Sequence, residues 1–534
     1  MKNTRLLLLA ALAACGIYSC SPGGGNKEEK SRSGLAQDEQ AQGIVNPVLA
    51  GDRPDPTVVK IGDTYWASAT SNEWSPLFPI FKSTDLVNWE LVTYVFPEGA
   101  PDWARNNFWA PELAYDEEQG KVYIYYTARD KETGRLSCAV ASADSPEGPY
   151  LDHGPLVAQE LGSIDAFEAR DENGKLYLLW KEDGNSRDQP TPIWAQEINE
   201  SRTELLGEPK ELFRNDKPWE GQLVEGVAIF RKDDYFYATY SAGACCNKEC
   251  NYKAGVARAK NLLGPWEKYE KNPILKDNES FRCPGHGTVV EKDGDLYYLY
   301  HAYSTKSDVY VGRQGVLEKI SWTEDGWPVV ANDAVFSRET GSLDFTDDFS
   351  GASLQPIWQW RVTQDISYET GPEGLKLGAS EENQQLGTVL VQLTKTLDYQ
   401  ATATLDLTAA GTGAEGGLAL VGADNNGFGA PLAAIGISAG KDGVKVWKTT
   451  QGETSLIAGA PLPEDLSNIP LRMEVAEGHL LSFSIEKDGA WESLATGIDA
   501  APFVPWGMGF RLGLVAKGNP SQTLNFKKFE LVNE

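Results

Sequence analysis

The sequence predicts an all-β protein, a five-bladed β-propeller followed by a β-sandwich, and three observations carry that expectation. One phrase, a short apolar run, a Gly or Asp turn and an aromatic strand, is written five times. It reads DPTVVKIGDTYW from Asp55, APELAYDEEQGKVYIYY from Ala110, IDAFEARDENGKLYLLW from Ile164, EGVAIFRKDDYFYATY from Glu225 and HGTVVEKDGDLYYLYH from His286. The tyrosines behind the turns, Tyr65, Tyr123, Tyr177, Tyr237 and Tyr297, recur every 54 to 60 residues, a period that fits four strands per unit and marks a repeat architecture. After Trp327 the phrase stops. From about Asp344 short alternating segments such as TVLVQLTKTL, ATATLDL, GVKVWKT and LSFSIEK alternate with Gly, Asn and Asp turns, the spacing of a sandwich.

In chain order, the N-terminus comes first. Lys2 and Arg5 precede an apolar run from Leu6 to Ala14, too short for a membrane span and suited to the hydrophobic part of a signal peptide. Leu12-Ala13-Ala14-Cys15 resembles a bacterial lipobox and Ile17-Tyr18-Ser19-Cys20 is a looser candidate. The expectation is a lipoprotein-type signal over residues 1–20, lipidation at Cys20 or Cys15, and an exported protein anchored to a bacterial envelope membrane. Residues 21–42, rich in Gly, Ser, Lys and Glu, read as a flexible tether. The propeller is expected over 43–335 and the sandwich over 343–534. Across the 534 residues, 77 acidic side chains face 48 basic ones, a net charge of -29. That argues against nucleic acid and anionic lipid surfaces as partners, because both are bound through basic patches. It says little about neutral sugars, and a monomer is expected.

Each phrase is a β-hairpin, since Gly or Asp supplies the turn and β-branched and aromatic residues flank it. The innermost strand of every propeller blade lines the central channel, so the starts of the five first strands converge. They carry Asp55, the Pro111-Glu112 pair, Asp165, Glu225 and His286. Any one Asp or Glu before a strand can simply cap a turn. Several in register at one axis are the equipment of glycoside hydrolysis, where like charges in a partly dry site keep one carboxyl protonated as an acid.

These motifs carry a family resemblance. NPVLAGDRPDPTVVKIGDTYW, PIFKSTDLVNW, FWAPEL, SIDAF, VEGVAIFRK, GHGTVV and GRQGVLEKISWTEDGWP, spread over roughly residues 45 to 330, resemble glycoside hydrolase family 43. The resemblance implies an inverting, single-displacement glycosidase with Asp55 as general base, Asp165 as the residue that tunes and orients the acid, and Glu225 as general acid. Ala166 stands where the family often has Pro, and Glu112 where it often has Asp. Inversion needs room for a water, hence carboxyl groups roughly 6.5 to 9.5 Å apart, which blades one and four can supply across a channel. The GHG motif suggests that His286 anchors a structural calcium at the propeller centre; a histidine satisfied by the backbone is the alternative. No cofactor is required for the chemistry.

Arg313 is expected to hold sugar hydroxyls or the base, as its guanidinium presents fixed donors to either. Trp74, Phe108 and Trp109 offer flat faces on which a sugar ring can stack, with core packing the alternative for Trp109. Cys245, Cys246, Cys250 and Cys283 lie toward the funnel mouth, where a disulfide tying two loops suits an oxidising compartment. A zinc site from Cys245, Cys246, Cys250 and His286 is disfavoured, since adjacent cysteines rarely close one tetrahedron. Cys138 reads as a buried apolar residue. The second domain resembles, less specifically, the concanavalin-like (jelly-roll) domain behind many family 43 β-xylosidases and arabinofuranosidases. It can wall the funnel, bind glycan through Trp358 and Trp360, or only stabilise the propeller. The function expected is an exo-acting enzyme releasing a terminal pentose or furanose, of the α-L-arabinofuranosidase or β-xylosidase kind. The alternatives are a galactofuranosidase, exo-galactanase or endo-arabinanase of the same mechanism, and a non-catalytic glycan-binding protein.

Overall fold

The computed structural model describes residues 44–381, 386–425 and 427–534. The expected signal, tether and lipidation sites at Cys15 and Cys20 lie outside the described residues.

Five antiparallel four-stranded sheets follow one another along the chain. Their first strands are Thr57–Ile61, Ala104–Asp116, Ser163–Arg170, Val224–Lys232 and Phe281–Lys292. Each of these lies against the next, and the fifth lies against the first, so the contacts run full circle about an axis. The repeated phrase explains this local structure: apolar first strands turn sharply into aromatic second strands. At Asp293-Gly294 both turn residues have positive φ (55° and 83°), the backbone of a tight hairpin that matches strand twist. The recurrent tyrosines sit one hairpin register along, Lys60 opposite Tyr65 and Phe230 opposite Tyr237, and four of the five are buried. The start of the described chain fastens onto the fifth sheet. The Asn46 side chain donates to the Leu317 carbonyl and accepts from its N–H, at 3.0 and 2.9 Å.

The sandwich packs two sheets. One contains Tyr399–Asp406, Ile469–Ala476, Leu480–Lys487 and the long Thr523–Asn533; the other contains Thr388–Leu393, Glu415–Ala423, Leu432–Gly440 and Arg511–Lys517. Burial along Tyr399–Asp406 strictly alternates, as expected for a strand with one face on a core. Leu405, Ile437, Phe483, Leu514 and Phe526 fill that core with no exposure, each worth about 1.5–3 kcal/mol of burial.

The junction between the halves corrects three aromatic expectations. Trp74 is no sugar platform: it is 3% exposed and packs on Val389, Val421, Trp447 and Val515 of the sandwich. Its short strand Trp74–Ser75 pairs with Trp360–Arg361, and the Arg361 guanidinium lies 5.2 Å from its ring centre. Trp360 is thus an interface residue. Trp358 is buried in the sandwich core, its indole N–H donating to Asp347 at 2.8 Å. Neither presents a face to glycan. Trp74→Ala is therefore expected to cost about 3–5 kcal/mol of stability, read as a lowered urea or thermal midpoint; a sugar platform would instead leave stability alone and raise KM.

Candidate active site

The inner strands aim their side chains at the axis through local irregularity. Asp55, Asp165 and His286 have left-handed backbones (φ 52°, 58° and 38°). Strand pairing shifts register between Ile164 and Phe167, between Glu225 and Ala228, and between Arg282 and Gly287. A bulge of this kind leaves a residue unpaired and re-aims it, and such strain gathers at functional sites. Gly226, behind Glu225, is required by space as well: a Cβ there would stand 2.7 Å from the His286 ring.

Asp55, Asp165, Glu225, His286, Arg313 and Trp109 line one cavity of about 780 Å³. Burial alone would raise the Asp55 pKa, but Arg313 and, when protonated, His286 hold its carboxyl well below the usual range. Arg313 Nη1 donates to Asp55 Oδ1 at 3.3 Å and Thr70 Oγ1 donates to Oδ2 at 2.8 Å. His301 Nδ1 lies 3.0 Å from the Asp55 backbone nitrogen and 3.1 Å from Oδ1. The backbone N–H needs an acceptor, so Nδ1 accepts and the ring is neutral; burial, with Arg313 nearby, lowers its pKa to about 4. Asp55 is thus an ionised, oriented carboxylate, ready to accept a proton from water.

The partner carboxyls behave differently from the expectation that Asp165 keeps Glu225 protonated. Glu225 accepts from Lys181 Nζ at 2.7 Å and from the Tyr252 hydroxyl at 2.8 Å. Burial pushes the Glu225 pKa up, yet Lys181 outweighs it and the net direction is down. Burial raises Asp165 to about 6, with the Glu225 charge adding to the effect. The two carboxyls act on each other electrostatically, and Asp165 is the more readily protonated. Asp165 Oδ2 also accepts the Gly226 N–H at 2.9 Å, fixing the backbone that carries Glu225. Removing the Lys181 charge disfavours the Glu225 carboxylate and raises its pKa. Lys181→Met is therefore expected to move the alkaline limb of the kcat/KM profile to higher pH; an unmoved limb would dissociate Lys181 from the acid's protonation.

Walls and floor complete the site. Phe108 is fully buried and packs edge-on against Phe78 at 6.2 Å, so it belongs to the core. Trp109 does reach the cavity, where its ring meets Phe428 at 5.7 Å and Phe428 meets Trp506 at 5.1 Å. Both partners come from sandwich loops. Arg313 joins the two halves directly, Nη2 donating to the Gly507 carbonyl at 3.1 Å. Glu112 lines a small void together with Asp55, Asp165 and His286 and accepts from the Thr288 hydroxyl at 3.2 Å; burial raises its pKa to about 8. His286 Nδ1 is turned to Asp55 (3.4 Å) and Asp165 (4.0 Å). Among the described residues no three His, Cys, Asp or Glu side chains are placed to hold a metal. Cys250 and Cys283 form a disulfide across two loops, and Cys245 and Cys246 form another at the rim, so the four are taken up without zinc. Cys138 is free and buried.

The glycosyl hydrolases family 43 model matches residues 44–328. The chain belongs to family 43. Residues 346–532 match the beta xylosidase C-terminal concanavalin A-like domain. Relatives of this family 43 chain include a xylan 1,3-beta-xylosidase of Vibrio sp, 29% identical over 54% of this chain and 57% of that protein. A beta-xylosidase of Bacillus subtilis is 27% identical over 61% and 64%. A non-reducing end alpha-L-arabinofuranosidase of Bacteroides ovatus is 26% identical over 54% of each chain. The matches thus span less than two thirds of each relative's length. The crystal structure of xylan beta-1,4-xylosidase from Bacillus halodurans superposes with a TM-score of 0.75 at 20% identity, over 92% of this chain and 100% of that one, a likeness of fold.

Several residues of this family 43 site were missed by reading first strands alone. Lys181 and His301 close the second strands of their hairpins, LYLLWK and LYYLYH, and pair beside the channel with Ile164 and Gly285. A charged or polar residue ending an apolar aromatic run was the available signal. Tyr252 links the two sides: its ring stacks on His301 at 5.6 Å and 2° while its hydroxyl holds Glu225.

Proposed function

We propose that the protein is an inverting, exo-acting glycoside hydrolase that releases terminal α-L-arabinofuranose or β-D-xylose. One observation carries the reading: a fixed, ionised Asp55 on the first blade shares a cavity with two further buried carboxyls, Asp165 and Glu225, on the third and fourth. In this reading Asp55 takes a proton from water as its oxygen bonds to the anomeric carbon. The bond from that carbon to the leaving oxygen breaks, and Glu225 delivers the proton to that oxygen. Asp165 orients Glu225 through Gly226, and its charge tunes the acid. Arg313 holds Asp55 and the sandwich loop together, while Trp109, Phe428 and Trp506 shut one side of the cavity against a longer chain. Names of relatives, β-xylosidases and an arabinofuranosidase, favour the pentose and furanose assignment over galactofuranose. Intact carboxylates disfavour a purely glycan-binding role.

The test is a panel of aryl glycosides, followed by chromatography of early digests of arabinan and arabinoxylan. Monosaccharide as the sole early product is expected. A ladder of oligosaccharides would mean an open cleft and an endo mode of attack. For the exported, lipid-anchored state, read from Lys2, Arg5 and the Leu6–Ala14 run, labelled palmitate should enter the wild-type protein and be lost in Cys20→Ser or Cys15→Ser.

A further inference from the structure

We infer that the leaving-group side of the cavity is built to accept a glycan bearing an anionic substituent, a carboxylate or sulfate ester, beside the bond that is cleaved. The inference rests on the glycosidase reading above and narrows its substrate class.

The protein is strongly acidic, with net charge -29, yet one wall of its cavity is cationic. Arg129, Arg135 and Arg187, from the second and third blades, all line it. Arg129 is fixed in place: Nε donates to Asn107 Oδ1 and Nη1 to the Gly134 carbonyl, both at 2.8 Å. Arg105 adds a fourth guanidinium, close enough to act on the Arg129 charge and 3.7 Å from where a Gly134 Cβ would stand. Little answers these charges. Arg135 has no ion-pair partner among the described residues, and Arg187 has only Glu160 at 3.9 Å, with both side chains more than half exposed. Of the nearby acids, Asp183 and Glu73 act on the Arg129 charge, but Asp183 is also bonded to Lys181 at 2.9 Å, and Asp130 accepts from the backbone N–H groups of Glu132 and Thr133.

Position assigns the wall a task. Lys181 bonds Glu225, and the chain then runs through Asp183 and the short turn Gly184–Arg187. Arg187 thus lines the same cavity as Glu225, one short turn on from the lysine that bonds it, and this wall is where we place the leaving sugar. An overall negative protein repels an anionic glycan at long range; a local cluster of cations reverses the field where the ligand must enter. Guanidinium forks match the planar carboxylate and the sulfate face alike, and an Arg pair is the usual means of reading such groups.

Three disaccharides separate the possibilities: a terminal β-D-xylosyl residue on glucose, on glucuronic acid and on glucose 6-sulfate, with the arabinofuranosyl counterparts. The acidic acceptors should give a kcat/KM roughly tenfold above the neutral one at low salt, shrinking as ionic strength rises. The arm that shows the preference, glucuronate or sulfate, names the anion. Arg135→Gln with Arg187→Gln should bring the acidic-to-neutral ratio toward one, and Arg135→Glu should lower it further. A wild-type ratio at or below one, or a ratio that the arginine variants do not move, overturns the inference while leaving the glycosidase intact. No turnover of any of these disaccharides or of the aryl glycosides would instead sink the glycosidase reading itself.

Discussion

Asp55→Asn is expected to lower kcat by about 10²–10⁴-fold on every substrate, activated aryl glycosides included, because the attacking water must be deprotonated whatever leaves. The amide keeps the size of the side chain and its hydrogen bond with Thr70, so folding and binding should persist. It loses the negative charge that Arg313 and His286 face. The measurement is kcat and KM for a natural oligosaccharide and an activated aryl glycoside in parallel. Activity of Asp55→Asn within a few-fold of wild type on either would remove Asp55 from the role of base.

Glu225→Gln should show a different signature. Loss of proton donation is expected to cost about 10²–10⁴-fold in kcat on a natural leaving group and far less on an activated one, which departs without protonation. The comparison with Asp165→Asn is needed because burial raises the Asp165 pKa to about 6, whereas Lys181 and the Tyr252 hydroxyl draw that of Glu225 down against its burial. Asp165→Asn should lose activity on both leaving groups, since it perturbs the Gly226 contact and the pair's charge. If Asp165→Asn proves sensitive to the leaving group and Glu225→Gln does not, the two carboxyls exchange roles.

The five-fold phrase made the propeller legible, because hairpin, period and channel position all follow from one repeated pattern of turn and strand. Asp55, Asp165 and Glu225 were readable for the same reason and Arg313 from the VGRQG motif, and all four line the cavity. Trp74 and Phe108 were misassigned because residue type says an aromatic can stack but not which face of a short strand it occupies; burial against the sandwich and against Phe78 decided both. Lys181 and His301 act from second strands, which return to the channel beside the first, and Tyr252 from the loop residue just before a third strand. Their effect on pKa depends on distances that no spacing rule gives. Phe428 and Trp506 lie some 200 residues or more beyond the catalytic motifs, on sandwich loops, so only the packing of one half on the other could bring them to the site.

The central claim is a single displacement by water activated at Asp55, and the anomeric configuration of the first-formed sugar tests it most directly. Proton NMR of an early time course, recorded before mutarotation, should show the inverted anomer: α-xylose from a β-xyloside, or β-arabinofuranose from an α-arabinofuranoside. Appearance of the retained anomer first would require a covalent glycosyl-enzyme intermediate and would contradict the account.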